Sequence, residues 1–163
     1  MAGDITTATG AKIFIGPSVA ASAADTLTEL KALTYVEIGL VESLGEFGDE
    51  ASAVTFAALG DGRIRKAKGA RDAGMMAITV AHTPEDTGQA AIEAAEQTNN
   101  NYAFKVVLPD SPANDWSDTT IYFRGLVMSR RKNIGTNDNV IRNTYNVGVN
   151  SELFTELAVD GTP

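Results

Sequence analysis

Period-two alternation governs this chain. Over residues 74–82, Met76, Ile78 and Val80 fall on one side and Met75, Ala77, Thr79 and Ala81 on the other. That is the spacing of a strand with one face buried. The pattern returns where Tyr102, Phe104, Val106 and Leu108 alternate with Ala103, Lys105 and Val107. It returns again over 119–129, with Ile121, Phe123 and Val127 against Tyr122, Arg124, Leu126 and Met128. A last long strand is predicted over 139–151, with Ile141, Tyr145, Val147 and Val149 pointing one way. Its other face carries Val140, Arg142, Thr144, Asn146 and Asn150, too polar for a core, so that side meets water or a partner. Shorter apolar runs at 11–16, 34–44 and 52–59 add further strands, stopped by Gly16-Pro17 and Gly60-Asp61-Gly62. Residues 18–26 are rich in Ala, Ser and Thr and show no period.

One helix is expected, at 84–98. Thr83 is read as its N-cap, Pro84 suits the first helical position, and Glu85 and Asp86 favour the positive helix start. Ala90, Ala91, Ile92, Ala94 and Ala95 form a body small enough for close approach to a sheet. Many strands and one helix give a mainly β chain: two packed antiparallel sheets, as a sandwich or partial barrel, with one flanking α-helix and a long extended loop. The 163 residues read as a single domain, 1–163, with a C-terminal tail at 152–163.

The extended loop is the segment 42–72. Its outgoing limb is acidic, with Glu42, Glu46, Asp49 and Glu50; its return packs Arg63, Arg65, Lys66, Lys68 and Arg71 into nine residues. It is read as a two-stranded excursion too charged and glycine-rich to pack as core. Three uses of the cationic run are open. A nucleic-acid patch would want interleaved aromatics and a less acidic protein. A solvated hairpin face is the plainest use. Half of a protein–protein contact is the use favoured by the acidic stretch beside it, since copies stacked head to tail would bring the two signs together. Cross-strand pairing within one hairpin competes for the same charges.

Catalytic chemistry finds little support. A formal charge of −8 argues against tight sequence-reading DNA binding, which needs a cationic face. The absence of cysteine removes disulfides, thiol nucleophiles and thiolate zinc sites, and a Ser-His-Asp triad would have to use His82, the one histidine. No phosphate-loop or dinucleotide motif occurs. Asp110, Asp115 and Asp118 around Trp116 lack the density of a calcium loop and read as turns. Trp116 with Tyr122 and Phe123 reads as packing before it reads as a stacking platform. No enzyme activity, cofactor or metal is expected. No run approaches the ~18 apolar residues of a membrane span, and Met1 to Thr7 lacks the start of a signal peptide, so folding in a cytoplasm and no membrane partner are expected.

Several features in order resemble the major tail tube protein of long-tailed, siphovirus-like bacteriophages. They are Lys12-Ile-Phe-Ile-Gly16 followed by the charged loop; Arg71-Asp-Ala-Gly-Met-Met-Ala-Ile-Thr-Val80 leading into Pro84-Glu-Asp-Thr-Gly-Gln89 and a small-residue helix; and Phe123-Arg-Gly-Leu-Val-Met128, then a polar hairpin loop at 130–138 and Asn143-Thr-Tyr-Asn-Val-Gly-Val-Asn-Ser-Glu152. The resemblance spans most of residues 11–152. It implies a virion structural protein that self-assembles into stacked hexameric rings, forming a hollow tail tube through which double-stranded DNA passes. It implies tape measure, tail terminator and tail-tip proteins as further partners, residence in the virion tail, and assembly in the host bacterial cytoplasm.

On that reading Glu42, Glu46, Asp49, Glu50, Arg63, Arg65, Lys66, Lys68 and Arg71 are ring-to-ring contact candidates. Arg142, Thr144, Asn146 and Asn150 are candidates for the bore. A bore wall should be neutral to negative, because attraction to one phosphate per ~1.7 Å of duplex would brake transit. The alternative is a monomeric β-sandwich binding module, a virion decoration or adhesin domain, with Trp116 as its first candidate contact.

Overall fold

The alternation at 74–82 is realised as a strand whose Met76, Ile78 and Val80 are fully buried. The computed structural model describes residues 5–18 and 26–161; the aperiodic Ala/Ser/Thr-rich segment, at 19–25, lies outside them, as do residues 1–4 and 162–163. In chain order the elements are β1 (Lys12–Ser18), α1 (Leu27–Lys31), β2 (Val36–Ile38), β3 (Val41–Ser43), β4 (Glu50–Ala57), β5 (Ile64–Asp72), β6 (Met75–Ala81), α2 (Thr87–Glu96), β7 (Tyr102–Val107), β8 (Thr120–Asn133), β9 (Arg142–Val149) and β10 (Phe154–Glu156). The chain is mainly β, in two antiparallel sheets. The larger has the order β2-β1-β7-β8-β9-β6-β3 with β10 added to β8, and the smaller is β4-β5.

The large sheet is strongly curled. β2 and β3 stand at opposite ends of its path, yet only Gly39 and Leu40 separate them in the chain. The two ends therefore meet without a ladder between them, and no closed barrel forms. Leu40 takes φ 54 at this crossing, a left-handed conformation that a branched side chain adopts only under constraint. α2 lies against the crossing. Its Gly88 approaches so closely that an added Cβ would sit 2.0 Å from the Glu37 carbonyl oxygen.

The core fills the inside of the curl. Ile13 and Ile15 of β1, Phe104 and Val106 of β7, Phe123 of β8, Tyr145 and Val147 of β9 and the β6 residues close on Ile92 and Ala95 of α2. Phe104 and Phe123 stack at 5.4 Å, and Phe47 packs on Phe123 at 5.7 Å. A smaller cluster covers the other face of β7 and β8, where Leu30 of α1, Ala103 and Tyr122 pack together. The first half of β8 is thus buried on both faces, with Phe123 on one and Tyr122 on the other.

Several boundaries differ from those expected. Two helices form, not one. α1 is started by a capping box in which Thr26 Oγ1 accepts from Glu29 N–H and the Glu29 carboxylate accepts from Thr26 N–H. The later helix spans Thr87–Glu96 rather than 84–98, because Asp86 caps it: its Oδ2 accepts from Gln89 N–H at 2.8 Å, while Thr83 to Asp86 forms a turn. β8 runs on through Arg130, Arg131 and Lys132 into the expected loop, since the ladder to β9 continues to Asn133↔Arg142. The last long strand spans Arg142–Val149, and the C-terminal segment folds back, with β10 on β8 and Trp116 bridged to Asp160.

Candidate assembly surfaces

β4 and β5 pair with each other and with no other described strand. The register sets two faces. Val54 and Phe56 share one with Ala67 and Arg65; Ala53, Thr55 and Ala57 share the other with Lys68, Lys66 and Ile64. Almost every side chain on this hairpin is exposed, including Phe56 at 67% and Leu59 at the tip. An apolar face held in water by a two-stranded ribbon is a surface awaiting a partner.

Most of the arm's charges are not spent within it. Arg65 turns back to Asp61, with both Nε and Nη2 donating to Oδ2. Lys66 and Lys68 stand opposite Thr55 and Ala53, and Glu50 opposite Asp72. Arg63, Lys66, Lys68 and Arg71 join no ion pair with a described residue. The acids Glu46, Asp49 and Glu50 lie before or at the start of β4, all exposed. Gly48 N–H donates to the Ala73 carbonyl at 3.4 Å, and Gly74 follows with φ 74, so the arm leaves the sheet between two glycines.

Glu42 has a different position from the other acids. It belongs to β3, and its carboxylate receives both Nε and Nη2 of Arg142 from β9, the latter at 3.1 Å. The guanidinium holds the Glu42 carboxyl below the ordinary carboxylate range, and the carboxylate raises Arg142 in turn. The pair therefore joins one residue expected at ring contacts to one expected in the bore.

Around it lies the outward face of β3, β6, β9 and β8. Thr79 and Thr144 hydroxyls stand 3.5 Å apart, and Asn146 Nδ2 donates to Ser129 Oγ at 3.0 Å. Ala77, Thr79 and Ala81 of β6 fill the rest with small side chains. Asn150 is not on this face: it lies beyond β9, its Nδ2 bonded to Asn101 Oδ1 at 2.9 Å.

Two strand edges of this stretch are open. β8 pairs with β7 over residues 120–125 and with β9 over 125–133, so among the described residues nothing pairs with the β7 side of 126–133. β3 pairs with β6 on one side only.

Three polar contacts, the first two part-buried and the third exposed, were not legible in the sequence. Gln89, 2% exposed, donates from Nε2 to the carbonyls of Gly39 and Ala81 and accepts from Thr83 N–H, while Asp86 accepts from Gly39 N–H. These bonds hold α2 to the crossing and to the end of β6. Tyr145 donates to Glu93, which also pairs with Arg130 at 3.4 Å, tying α2 to β8 and β9; burial above all pushes the Tyr145 hydroxyl upward. Lys31 pairs with Glu156, joining α1 to β10. The sequence signals only the start of α1, through the Thr26-x-x-Glu29 pattern, and not the pair that Lys31 makes.

His82 follows the end of β6 and is exposed, with Nδ1 3.1 Å from Asn143 Nδ2. Among the described residues no cluster of acids and histidine has the arrangement to hold a metal.

The family model for phage tail tube protein, TTP, matches residues 18–157. The chain belongs to the phage tail tube protein family. This tail tube protein is a tube-forming structural subunit of the virion. Its fold is similar to that of the SPP1 tail tube solved by solid-state NMR and cryo-EM, with a TM-score of 0.61 and 17% identity over 96% of this chain and 82% of that one. It is similar to a chain of the anti-feeding prophage baseplate, 6-fold symmetrised, with a TM-score of 0.65 and 8% identity over 96% and 98% of the two chains. A chain of the PVC sheath/tube terminator, from an extracellular contractile injection system, gives a TM-score of 0.59 and 11% identity over 90% and 92%. At such identities the likeness is one of fold. No curated protein sequence matches the tail tube protein significantly.

Proposed function

We propose that copies of this tail tube protein join edge to edge into hexameric rings, that the rings stack into a hollow tube, and that duplex DNA passes along the bore. The observation that carries this reading is the stretch β3-β6-β9-β8, which ends in an open edge on each side. Unpaired edges associate unless blocked, and a closed ring of such stretches removes all of them. The outward face of the stretch becomes the bore wall. Thr144 and Asn146 present neutral groups there, and Arg142 arrives already neutralised by Glu42.

The β4–β5 arm reaches the adjacent ring. Its exposed Val54 and Phe56 supply apolar contact, and Arg63, Lys66, Lys68 and Arg71 meet acids such as Asp49 and Glu50 of the next copy. The protein works by assembly, with no reaction of its own. Tape measure, terminator and tail-tip proteins are its further partners, and it assembles in the host bacterial cytoplasm before taking its place in the tail.

Electron microscopy of the purified protein at rising concentration tests the reading. Rings or hollow rods are expected. A homogeneous monomer by scattering at the highest concentration would overturn it in favour of a decoration or adhesin module.

A further inference from the structure

The ring reading leaves open what selects the correct neighbour for each edge, and the charges beside the two edges supply an answer. On β8, Arg131 and Lys132 are exposed at the open side, whereas Arg130 is engaged by Glu93 at 3.4 Å. Just past β3, Glu46 is exposed and joins no ion pair with a described residue, whereas Glu42 within β3 already holds Arg142 of its own copy. The two edges thus carry opposite signs.

Direction also fits. β3 is antiparallel to β6, β6 to β9 and β9 to β8, so β8 of one copy laid beside β3 of the next continues the antiparallel alternation. Position along the sheet fits as well. Arg131 stands opposite Thr144, Thr144 opposite Thr79, and Thr79 opposite Ser43, so Arg131 shares a row with the neighbour of Glu42.

The main competitor for an exposed edge is a second copy of itself, paired about a two-fold axis. For β8 that pairing would set Arg131 and Lys132 against their own duplicates. We propose that the ring joint is keyed by charge: Arg131 and Lys132 on the open edge of β8 meet Glu46 beside the open edge of β3 in the next copy, next to the Glu42–Arg142 bridge, and the same cations forbid β8 from pairing with a second β8. Attraction selects the head-to-tail neighbour and repulsion excludes the closed dimer. This rests on the ring reading and adds the residues that direct it.

Two charge-reversed proteins test the key. The first carries Arg131→Glu and Lys132→Glu. The second carries Glu46→Lys with Glu42→Arg and Arg142→Glu, which keeps the bridge between β3 and β9 with its signs exchanged. Each alone has like charges at every joint. The concentration needed for assembly in low salt is expected to rise about tenfold or more for each, and the loss to shrink as salt screens the charges. Mixed in equal amounts, the two variants alternate around an even-numbered ring with every joint attractive, and assembly is expected to return close to the wild-type concentration. Circular dichroism establishes that each variant is folded. If the triple variant does not fold, Glu46→Lys alone is mixed with Lys132→Glu.

Wild-type assembly by either folded variant alone overturns the key, as does a mixture of folded variants that stays monomeric. Wild-type protein that forms neither rings nor rods is the separate failure of the ring reading itself, and it removes the key along with it.

Discussion

Replacing Gln89 by Leu tests the device that holds the curled sheet in shape. The Gln89 amide makes three hydrogen bonds to backbone: Nε2 to the carbonyls of Gly39 at 3.1 Å and Ala81 at 2.9 Å, and Oε1 from Thr83 N–H at 3.1 Å. Leucine fills a similar volume and satisfies none of them. Leaving a buried polar group unpaired costs ~1–3 kcal/mol. These bonds are only part-buried, so the low end applies, about 1 kcal/mol for each partner and about 3 kcal/mol in all. The additional apolar burial of leucine returns about 1 kcal/mol. The net loss is about 2 kcal/mol. For a domain of this size, at ~2–4 °C per kcal/mol, that lowers Tm by about 4–8 °C.

The assay is thermal and urea unfolding of Gln89→Leu beside wild type, with Val106→Ala as a comparison. Val106 is buried and belongs to the β1–β7 side of the sheet, away from the open edges. Its truncation costs about 2 kcal/mol from lost transfer energy and the cavity left behind. Assembly distinguishes the two variants. Gln89 ties the β2–β3 crossing to the end of β6, so its loss moves the β3 edge relative to the rest of the sheet. At equal folded fraction, Gln89→Leu should need a higher concentration to assemble than Val106→Ala does. A Gln89→Leu protein that melts within about 1 °C of wild type would refute the hydrogen-bond argument. One that is destabilised but assembles as readily as Val106→Ala would refute the link from latch to edge.

Other perturbations probe separate parts of the molecule. Gly88→Ala drives a Cβ to 2.0 Å from the Glu37 carbonyl oxygen, so α2 must move off the crossing; a loss of about 2–3 kcal/mol is expected by denaturant unfolding. Phe123→Ala removes a fully buried ring from between Phe104 and Phe47 and should cost about 3–5 kcal/mol in the same assay. Phe56→Ser, on an exposed position of the arm, should leave Tm almost unchanged while reducing rods to single rings in micrographs, and raised salt should weaken ring stacking more than ring closure. Glu42 is held deprotonated by Arg142, so its folded-state pKa lies below its unfolded one. The pair's contribution is complete above about pH 4.3 and is lost as pH falls through the lower, folded value. NMR titration should show Glu42 returning to the ordinary range in Arg142→Gln.

What could be read in the sequence was what the local period decides. Met76, Ile78 and Val80 had to share a buried face and do, as do Tyr145, Val147 and Val149; Ile141, assigned to the same face as the last three, lies before β9 and is exposed. Of the excursion expected at 42–72, the hairpin at 50–72 was legible because its turn, Gly60-Asp61-Gly62, and its density of charge exclude a core strand, but 42–43 belong to β3 and Leu44 and Phe47 pack on the core. Polarity misled at Arg130, Arg131 and Lys132, since a ladder of backbone bonds to β9 sustains a strand without any apolar side chain. Thr83 was mistaken for the helix cap because Pro84 follows it, although Asp86 is nearer the periodic residues and offers a charged acceptor. Strand order lay beyond reach. Nothing at Gly39 and Leu40 announces that the strands on either side of them end up at opposite ends of one sheet.

That order explains how one chain can be stable alone and yet unfinished. A sheet whose ends meet at a two-residue link needs little else to enclose a core, and α2 fills the remaining gap with Ile92 and Ala95. Apolar burial, which dominates folding free energy, is therefore largely complete within a single copy. What remains open is backbone: the edge of β8 past residue 125 and the free side of β3. Backbone pairing is directional and nearly independent of side-chain identity, so by itself it would accept any edge. Selectivity must come from the side chains that flank those edges. In this protein they are Arg131 and Lys132 on one side and, on the other, Glu46 beside the Glu42–Arg142 bridge. A surface divided in this way lets the core set most of the stability and the edges set geometry.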